Sequence, residues 1–315
     1  MSKPIVLVTG GAGFIGSNIV DALLADGNYS VRVLDNFATG RRENLAHCRD
    51  RIDLVEGDVR DSETVEEAVN GVYCVLHQAA LPSVPRSVKA PNTTNAVNVG
   101  GTLNMLTAAH KAGVKRFVFA SSSSVYGDGD ELPKHERMMP RPMSPYAVTK
   151  LTGEHYCRVF ASLYGVETIA LRYFNVFGPR QDPTSQYSGV IAKFMTAALT
   201  GSPYVVHGDG LQARDFSFVE NVVLANLLAL RAERLSGEVV NIACETSITL
   251  LDMIAALNRL IGRELPVEFR PPRAGDVLLS QASIAEAKAV LGYQPVVAFE
   301  PGLARTFEWY AAKVV

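Results

Sequence analysis

Short apolar runs alternate along the chain with longer stretches in which apolar residues recur every three or four positions. Ile5-Val6-Leu7-Val8 is continuous and β-branched, without the polar alternation of a half-wet sheet, and reads as a central parallel strand covered on both faces. Further strands are expected at 31–34, 52–57, 72–76, 117–120 and 168–171. Between them lie helical patterns: one that starts within 9–16 and stops at Gly27, a short acidic helix capped by Ser62, and a long helix over 91–112. Ser144 and Pro145 suit the N-cap and first position of another helix, whose apolar residues Val148, Leu151, Val159, Phe160 and Leu163 keep the period until Gly165. This alternation predicts an α/β fold with a doubly wound parallel sheet of the Rossmann kind.

Beyond the strand at 168–171 the order loosens. Residues 181–188 form a polar loop, helices are expected at 190–200 and 219–232, and strands at 204–207 and 239–243, the last returning to the sheet. Helices near 249–261, 283–291 and 301–312 complete a smaller C-terminal α/β domain. The expected division is a dinucleotide-binding domain over 1–175, to which the chain returns at about 214–246, and a substrate-binding domain over 176–315.

Composition narrows the function classes. With 30 basic against 32 acidic residues, a formal charge of −2 and no basic block, the chain offers nothing to a polyanion, and nucleic acid is not an expected partner. No run of about 18 apolar residues occurs, so no membrane partner is expected either. The run at 5–8 is too short for a signal peptide core. Cys48, Cys74, Cys157 and Cys244 lack paired spacing and read as reduced residues of a cytoplasmic protein, with no metal site.

The first strand leads into Thr9-Gly10-Gly11-Ala12-Gly13-Phe14-Ile15-Gly16, a G-x-x-G-x-x-G spacing at a strand-to-helix turn. Glycines there let backbone approach a pyrophosphate, while unmet N–H groups and the helix dipole favour its charge. The second strand delivers Asp35 about 20 residues on, where an acid binds the adenosine ribose diol. Asp35 would repel a 2′-phosphate and Asn36 offers it no charge, so the expected cofactor is NAD rather than NADP. Tyr146 and Lys150 lie at i and i+4 of a helix, where the lysine charge favours the phenolate. Bringing a phenol to half-ionisation at neutral pH requires about 4 kcal/mol, more than one lysine supplies, so a second positive charge such as an oxidised nicotinamide is needed. Ser121, Ser122, Ser123 and Ser124 follow the 117–120 strand, at the end of the sheet where ligands bind.

Taken together, the glycine spacing, Asp35, Asp58, the serines before Val125-Tyr126-Gly127 and Tyr146-x-x-x-Lys150 resemble the extended short-chain dehydrogenase/reductases. Arg172-Tyr173-Phe174-Asn175-Val176-Phe177-Gly178-Pro179, Gly208-Asp209-Gly210, Arg214-Asp215-Phe216 and Arg273-x-x-Asp276 extend that resemblance to the nucleotide-sugar epimerases of the class. It implies a UDP-sugar 4-epimerase in which Tyr146 is the base, Lys150 binds the nicotinamide ribose and lowers the tyrosine pKa, and Ser122 is the proton partner. The product of the first half-reaction is a 4-keto sugar. Implied cofactor contacts are Gly10, Gly13, Phe14, Ile15, Gly16, Asp35, Asn36, Gly40, Asp58, Val59, Ala79, Ala80, Asn98, Ser121, Tyr146, Lys150, Tyr173 and Val176. Asn98 has an equally good structural reading. Implied substrate contacts are Ser83, Val84, Ser122, Ser123, Tyr146, Asn175, Val190, Val205, His207, Arg214, Arg273, Asp276 and Ser280.

The resemblance also implies a homodimer through a four-helix bundle of the 91–112 and 145–164 helices, with Met105, Ala108, Ala109, Val159 and Leu163 as apolar surface. Ser280, four residues after Asp276, holds the place that walls the hexose pocket beside the 2-substituent, and a small residue there leaves room for an N-acetyl group. UDP-GlcNAc and UDP-GalNAc are thus expected substrates, with UDP-glucose and UDP-galactose; UDP-glucuronate epimerisation is the alternative. Related dehydratases and decarboxylases carry an acid where this chain has Ser124, which argues against elimination. A non-enzymatic NAD sensor would be expected to lack Tyr146 or Lys150.

Overall fold

A computed structural model describes residues 3–129, 131–182, 190–272 and 279–314. Its centre is a seven-stranded sheet of β1 (Ile5–Thr9), β2 (Ser30–Asp35), β3 (Ile52–Glu56), β4 (Val72–His77), β5 (Arg116–Ser122), β6 (Glu167–Tyr173) and the strand Glu238–Ile242. The order is Glu238–Ile242, β6, β5, β4, β1, β2, β3, and every neighbouring pair is parallel. The doubly wound sheet expected from the apolar runs is therefore present. Its order reverses between β1 and β4, which opens a crevice at their carboxyl ends.

Val6, Leu7 and Val8 of β1 are fully buried because both sheet faces are covered, and consecutive side chains enter different cores. Val6 and Val8 pack with Ile19 and Leu23 of helix α1 (Phe14–Asp26) and Val222 of the Val219–Arg231 helix. Leu7 packs on the other face with Val65, Met105 and Phe160, from the helices Ser62–Val69, Gly101–Lys111 and Pro145–Tyr164. Helix α1 ends on Gly27 at φ 72°, and the Pro145–Tyr164 helix on Gly165 at the same angle, a left-handed cap that favours glycine.

Local chemistry refines three expectations. The acidic helix is capped by Asp61, whose carboxylate accepts the Glu63 N–H, so Ser62 is its first helical residue rather than its cap. The helical stretch from Pro91 to Lys111 contains a π-helical segment, Ala96–Gly100, between the α-helices Pro91–Asn95 and Gly101–Lys111. Asn98 lies in that wide turn and reaches out of the helix: it accepts the Leu81 N–H at 2.8 Å and donates to Thr149 Oγ1 at 3.0 Å. Of the apolar side chains expected at a dimer surface, Met105, Ala108 and Ala109 are buried in the sheet-facing core, while Val159 and Leu163 are 41% and 73% exposed.

The returning strand is Glu238–Ile242, which pairs with β6. Outside the sheet, Tyr204–His207 pairs with Val267–Arg270, and Ala213–Arg214 is bracketed by Ile248–Thr249 and Leu279–Ser280. The helix Leu250–Ile261 starts with a capping box in which Thr249 and Asp252 satisfy each other's backbone N–H. Phe177, with centroid distances of 5.6 Å to Phe218 and 5.5 Å to Phe299, joins the sheet margin to the Phe299–Val314 helix. Among the described residues no helix is long and apolar enough to cross a membrane.

Candidate active site

The glycine turn packs β1, α1 and the end of β4 closer than side chains allow. A Cβ on Gly16 would lie 2.2 Å from the Gly10 carbonyl oxygen, and one on Gly10 would lie 2.8 Å from the Ala79 nitrogen. Gly10 also adopts φ 66°. Gly13 caps α1 without a side-chain acceptor, so the N–H groups of its first turn, from Phe14 and Ile15 onward, are left for a ligand. At the end of β2, Asp35 accepts the N–H groups of Ala12 and Phe37, each at 2.8 Å. Burial raises its pKa while those two bonds lower it. Gly40 closes over it, and a Cβ there would stand 3.0 Å from Asp35 Oδ1. Asn36 donates to Asp58, whose carboxylate is gripped by both arms of Arg60 and held down at about 2, chiefly by that bond. Arg42 stacks on Phe37 and pairs with Glu56. Arg60, Arg42 and Arg41 each have a carboxylate partner, Asp58, Glu56 and Asp182, and the turn fits the diol and pyrophosphate of NAD. Val59 packs beneath Gly101.

At the ends of β4, β5 and β6 the reactive groups converge. The Pro145–Tyr164 helix is capped by Ser144, which accepts the Ala147 N–H, and it buries Lys150 while leaving Tyr146 half-buried. Lys150 Nζ donates to the Ala120 carbonyl at 2.7 Å and lies 5.9 Å from the Tyr146 ring centroid and 5.0 Å from that of Phe119. Burial brings its pKa down to about 8, against the pull of Glu154. The Tyr146 phenol is pushed up by burial and drawn down by a hydrogen bond with Ser122. Burial is the larger influence, and the lysine charge expected from the helix spacing to lower the phenol does not bring it below its ordinary value. Ser122 also accepts the Ser124 N–H, which fixes the Ser123–Tyr126 turn. Ser124 Oγ is buried with no hydrogen-bond partner among the described residues.

Several expected contacts are held by the protein itself. The Ser121 hydroxyl donates to Glu154, and Ser83 accepts the Arg86 N–H as cap of the Val84–Lys89 helix, leaving Val84 exposed. Tyr173, raised to about 12 by burial, is tied by its hydroxyl to Gln78 and Asn226, so only its ring is available. Ala79 donates to Thr9 Oγ1, with Ala80 next in the same turn. His77 was not foreseen: buried between Thr9 and Thr102, it is pushed down to about 3 by burial and then by Lys150, and so stays neutral. Its strand-end position after an apolar run was the available signal.

Beyond β6 a cleft of about 310 Å³ brings together Asn175, Val176, Val190, Val205, His207 and Arg214, all expected site residues. Phe216, quoted with the Arg214 motif, lines it too, as do Gln181, Lys193, Phe194, Gln212 and Leu250, which the sequence did not single out as site residues. Lys193 was legible in principle, three residues after Val190 on one helix face. Asn175, at φ 36°, donates to the Asp215 carbonyl, and His207 Nδ1 bonds the Pro271 carbonyl. Asp215 is fully buried, accepts the N–H groups of Cys244 and Ala282, and is raised to about 6 by burial. It fixes the strand of Arg214, whose register partner in Leu279–Ser280 is Ser280. Ser280 does not line the cleft itself, and Arg273 and Asp276 lie outside the described residues.

A nucleotide turn, a Tyr-Lys pair at the strand ends and an anion-suited cleft beside them define a nucleotide-sugar enzyme of the short-chain dehydrogenase class. The chain belongs to the NAD dependent epimerase/dehydratase family, whose model matches residues 6–243. It is 40% identical over 311 residues to the UDP-glucose 4-epimerase of Mycolicibacterium smegmatis, with 98% of each chain covered. Its fold is similar to that of UDP-N-acetylglucosamine 4-epimerase from Methanobrevibacter ruminantium in complex with UDP-N-acetylmuramic acid (TM-score 0.94, 36% identity, 99% and 100% covered). It is also similar to UDP-glucuronic acid 4-epimerase from Bacillus cereus with UDP-glucuronic acid and NAD (TM-score 0.90, 31% identity, 99% and 100% covered). Within the family, then, the chain stands among the NAD-dependent 4-epimerases.

Proposed function

We propose that this NAD-dependent UDP-sugar 4-epimerase interconverts UDP-GlcNAc with UDP-GalNAc, and UDP-glucose with UDP-galactose, through a transient 4-keto sugar. NAD, when bound, supplies the acceptor and then the donor of the C4 hydride. Tyr146 takes the 4-hydroxyl proton, and Ser122, already hydrogen-bonded to it, orients the phenol. Lys150, anchored on Ala120, keeps a positive charge beside the phenol. Because the hydride leaves one face and returns to the other, the nucleotide must be held while the sugar turns. Arg214 and Asn175 serve the diphosphate end of the cleft, Arg273 is implied there by the resemblance, and His207 meets the base.

The observation that carries the sugar assignment is the register of Ser280 opposite Arg214. It sets a small side chain next to Arg214, and the resemblance implies that a tyrosine at this place would fill the volume an acetamide needs. The deciding experiment incubates the purified protein, with no NAD added, with UDP-GlcNAc, UDP-glucose and UDP-glucuronate, and resolves the products chromatographically. Turnover of the first two supports the assignment; turnover of UDP-glucuronate alone replaces it with the acid-sugar reading. Ser280→Tyr should remove activity on the N-acetylated pair and spare the plain hexoses, and equal loss on both would reject Ser280 as the gate.

The enzyme is further proposed to be a homodimer built on the Pro145–Tyr164 helix and its neighbour, where Val148, Val159, Leu163 and Tyr164 are exposed apolar residues. A monomer by light scattering at micromolar concentration would reject it.

A further inference from the structure

Helix periodicity places Tyr146, Lys150 and Glu154 in one line at i, i+4 and i+8. The first two face the proposed chemistry. Glu154, 3% exposed, faces the sheet: its carboxylate accepts the Ser121 hydroxyl and both arms of Arg172, from Nε at 2.8 Å and Nη2 at 2.7 Å. Ser121 and Arg172 are register partners on β5 and β6, so one side chain clamps the helix onto two strand ends. Ala120, whose carbonyl holds Lys150, and Ser122, which bonds Tyr146, flank Ser121 in sequence. Arg172 is fixed in turn by stacking 4.6 Å from the Tyr126 ring centroid, and Tyr126 donates to Asn241.

We propose that Glu154 is a positioning residue of the reaction, which through Ser121 and Arg172 holds the helix on β5 and β6 and keeps Lys150 in place beside Tyr146. The proposal rests on the reading of Tyr146 as base and Lys150 as its cationic partner. A buried ion pair is by itself weak evidence for stability, since the cost of desolvating two charges offsets most of their attraction. A pair in this place has a more specific consequence. The groups that act on Lys150 are Glu154, one turn along, the neutral His77 of β4 and the Tyr146 ring. Those on the Glu154 side are Arg172 of β6, Cys157 of the same helix and, over Arg172, Tyr126, with Glu136 behind it. Glu154 is the one anion that favours the charged form of Lys150, against a burial that disfavours it.

The test compares the wild-type holoenzyme with Glu154→Gln and with the double variant Glu154→Gln/Arg172→Met. The single variant leaves the arginine charge buried without its partner; the double variant removes both charges and separates folding from function. The readouts are the pH profiles of kcat and KM and, independently of turnover, the titration of the Lys150 ε-carbon by NMR, assigned with Lys150→Met. In Glu154→Gln the alkaline limb of kcat and the lysine titration should move to lower pH by about one unit, and in the double variant in the same direction by less, because the arginine charge that opposes Lys150 is lost with the glutamate. The loss should lie in kcat, with KM within about twofold, and Glu154→Asp should restore part of it. A double variant that folds as well as wild type and keeps the wild-type limb and lysine titration would overturn the proposal and leave Glu154 purely structural. Absence of any UDP-sugar turnover by the wild-type enzyme would instead defeat the functional reading, and the lysine titration would still decide the role of Glu154.

Discussion

Tyr146→Phe removes one oxygen and should separate catalysis from folding. The phenol is half-buried and its hydroxyl bonds Ser122, so the substitution costs one hydrogen bond, about 1 kcal/mol. That is offset because removing the hydroxyl also removes the cost of burying it, and Ser122 still accepts the Ser124 N–H. The ring keeps its contacts beside Lys150, and the melting temperature should stay within about 2 °C. Turnover is another matter. A positioned general base contributes roughly 10²- to 10⁴-fold, or about 3 to 5 kcal/mol of barrier. The assay is epimerisation of UDP-glucose and UDP-GlcNAc followed chromatographically, with NAD content measured on denatured protein. The expected result is a loss of at least about 100-fold in kcat with NAD content unchanged. A variant retaining more than about a tenth of the wild-type rate, a deficit under roughly 1.4 kcal/mol, would show that another group takes the proton.

Ser122→Ala should lose less, about 10- to 100-fold in kcat, because it orients the phenol rather than accepting the proton; a loss equal to that of Tyr146→Phe would reverse the roles. Gly16→Ala forces a Cβ to within 2.2 Å of the Gly10 carbonyl, a backbone atom that cannot yield, and should destabilise by about 1–3 kcal/mol while reducing bound NAD. A normal melting temperature and NAD content would refute the tight-turn argument. Asp58, held at about 2 by Arg60 from an ordinary 3.8, contributes stability that is present above pH 3.8 and lost as pH falls toward 2. The site is partly exposed, so Asp58→Asn should lower stability by less than about 1 kcal/mol at neutral pH, and the gap in urea midpoints should narrow by about pH 3.

The sheet was legible because its strands are buried on both faces: an apolar run such as Ile5-Val6-Leu7-Val8 has one stable setting, and the glycines after it have one use. The Tyr146 helix was legible for a local reason, since cap, first-turn proline and terminal glycine all lie within its own sequence. What escaped was nonlocal. No pattern around residue 98 announces a π turn, because the turn exists to bring Asn98 to Leu81 and Thr149, and those partners are close only in the fold. The resemblance implies Met105 and Ala109 as dimer surface, yet both face the sheet. The direction of the Tyr146 shift likewise depends on burial, which spacing in a helix does not report.

The two ends of the site are built to different standards of rigidity, and this follows from what each must do. At the proton-transfer end every group is fixed to backbone or to a buried partner: Lys150 to Ala120, Ser122 to the Ser124 N–H, Ser121 to Glu154, and Tyr173 to Gln78 and Asn226. On the proposed reading, a base that takes the proton from the 4-hydroxyl of one epimer and returns it to that of the other cannot move with the sugar. At the cleft end the lining comes from separate short elements, including Val190–Thr200, Tyr204–His207 and Ala213–Arg214, and includes Lys193, Arg214 and His207. On the proposed reading the long cationic side chains of Lys193 and Arg214 hold the diphosphate by charge while tolerating small changes in its angle, and His207 meets the base. On the proposed reading the hexose lies toward Ser122 and Ser123, with Ser280 in register beside Arg214. Small hydroxyl side chains leave a hexose room to rotate and offer it hydrogen bonds in either orientation, as the proposed exchange of faces at C4 requires.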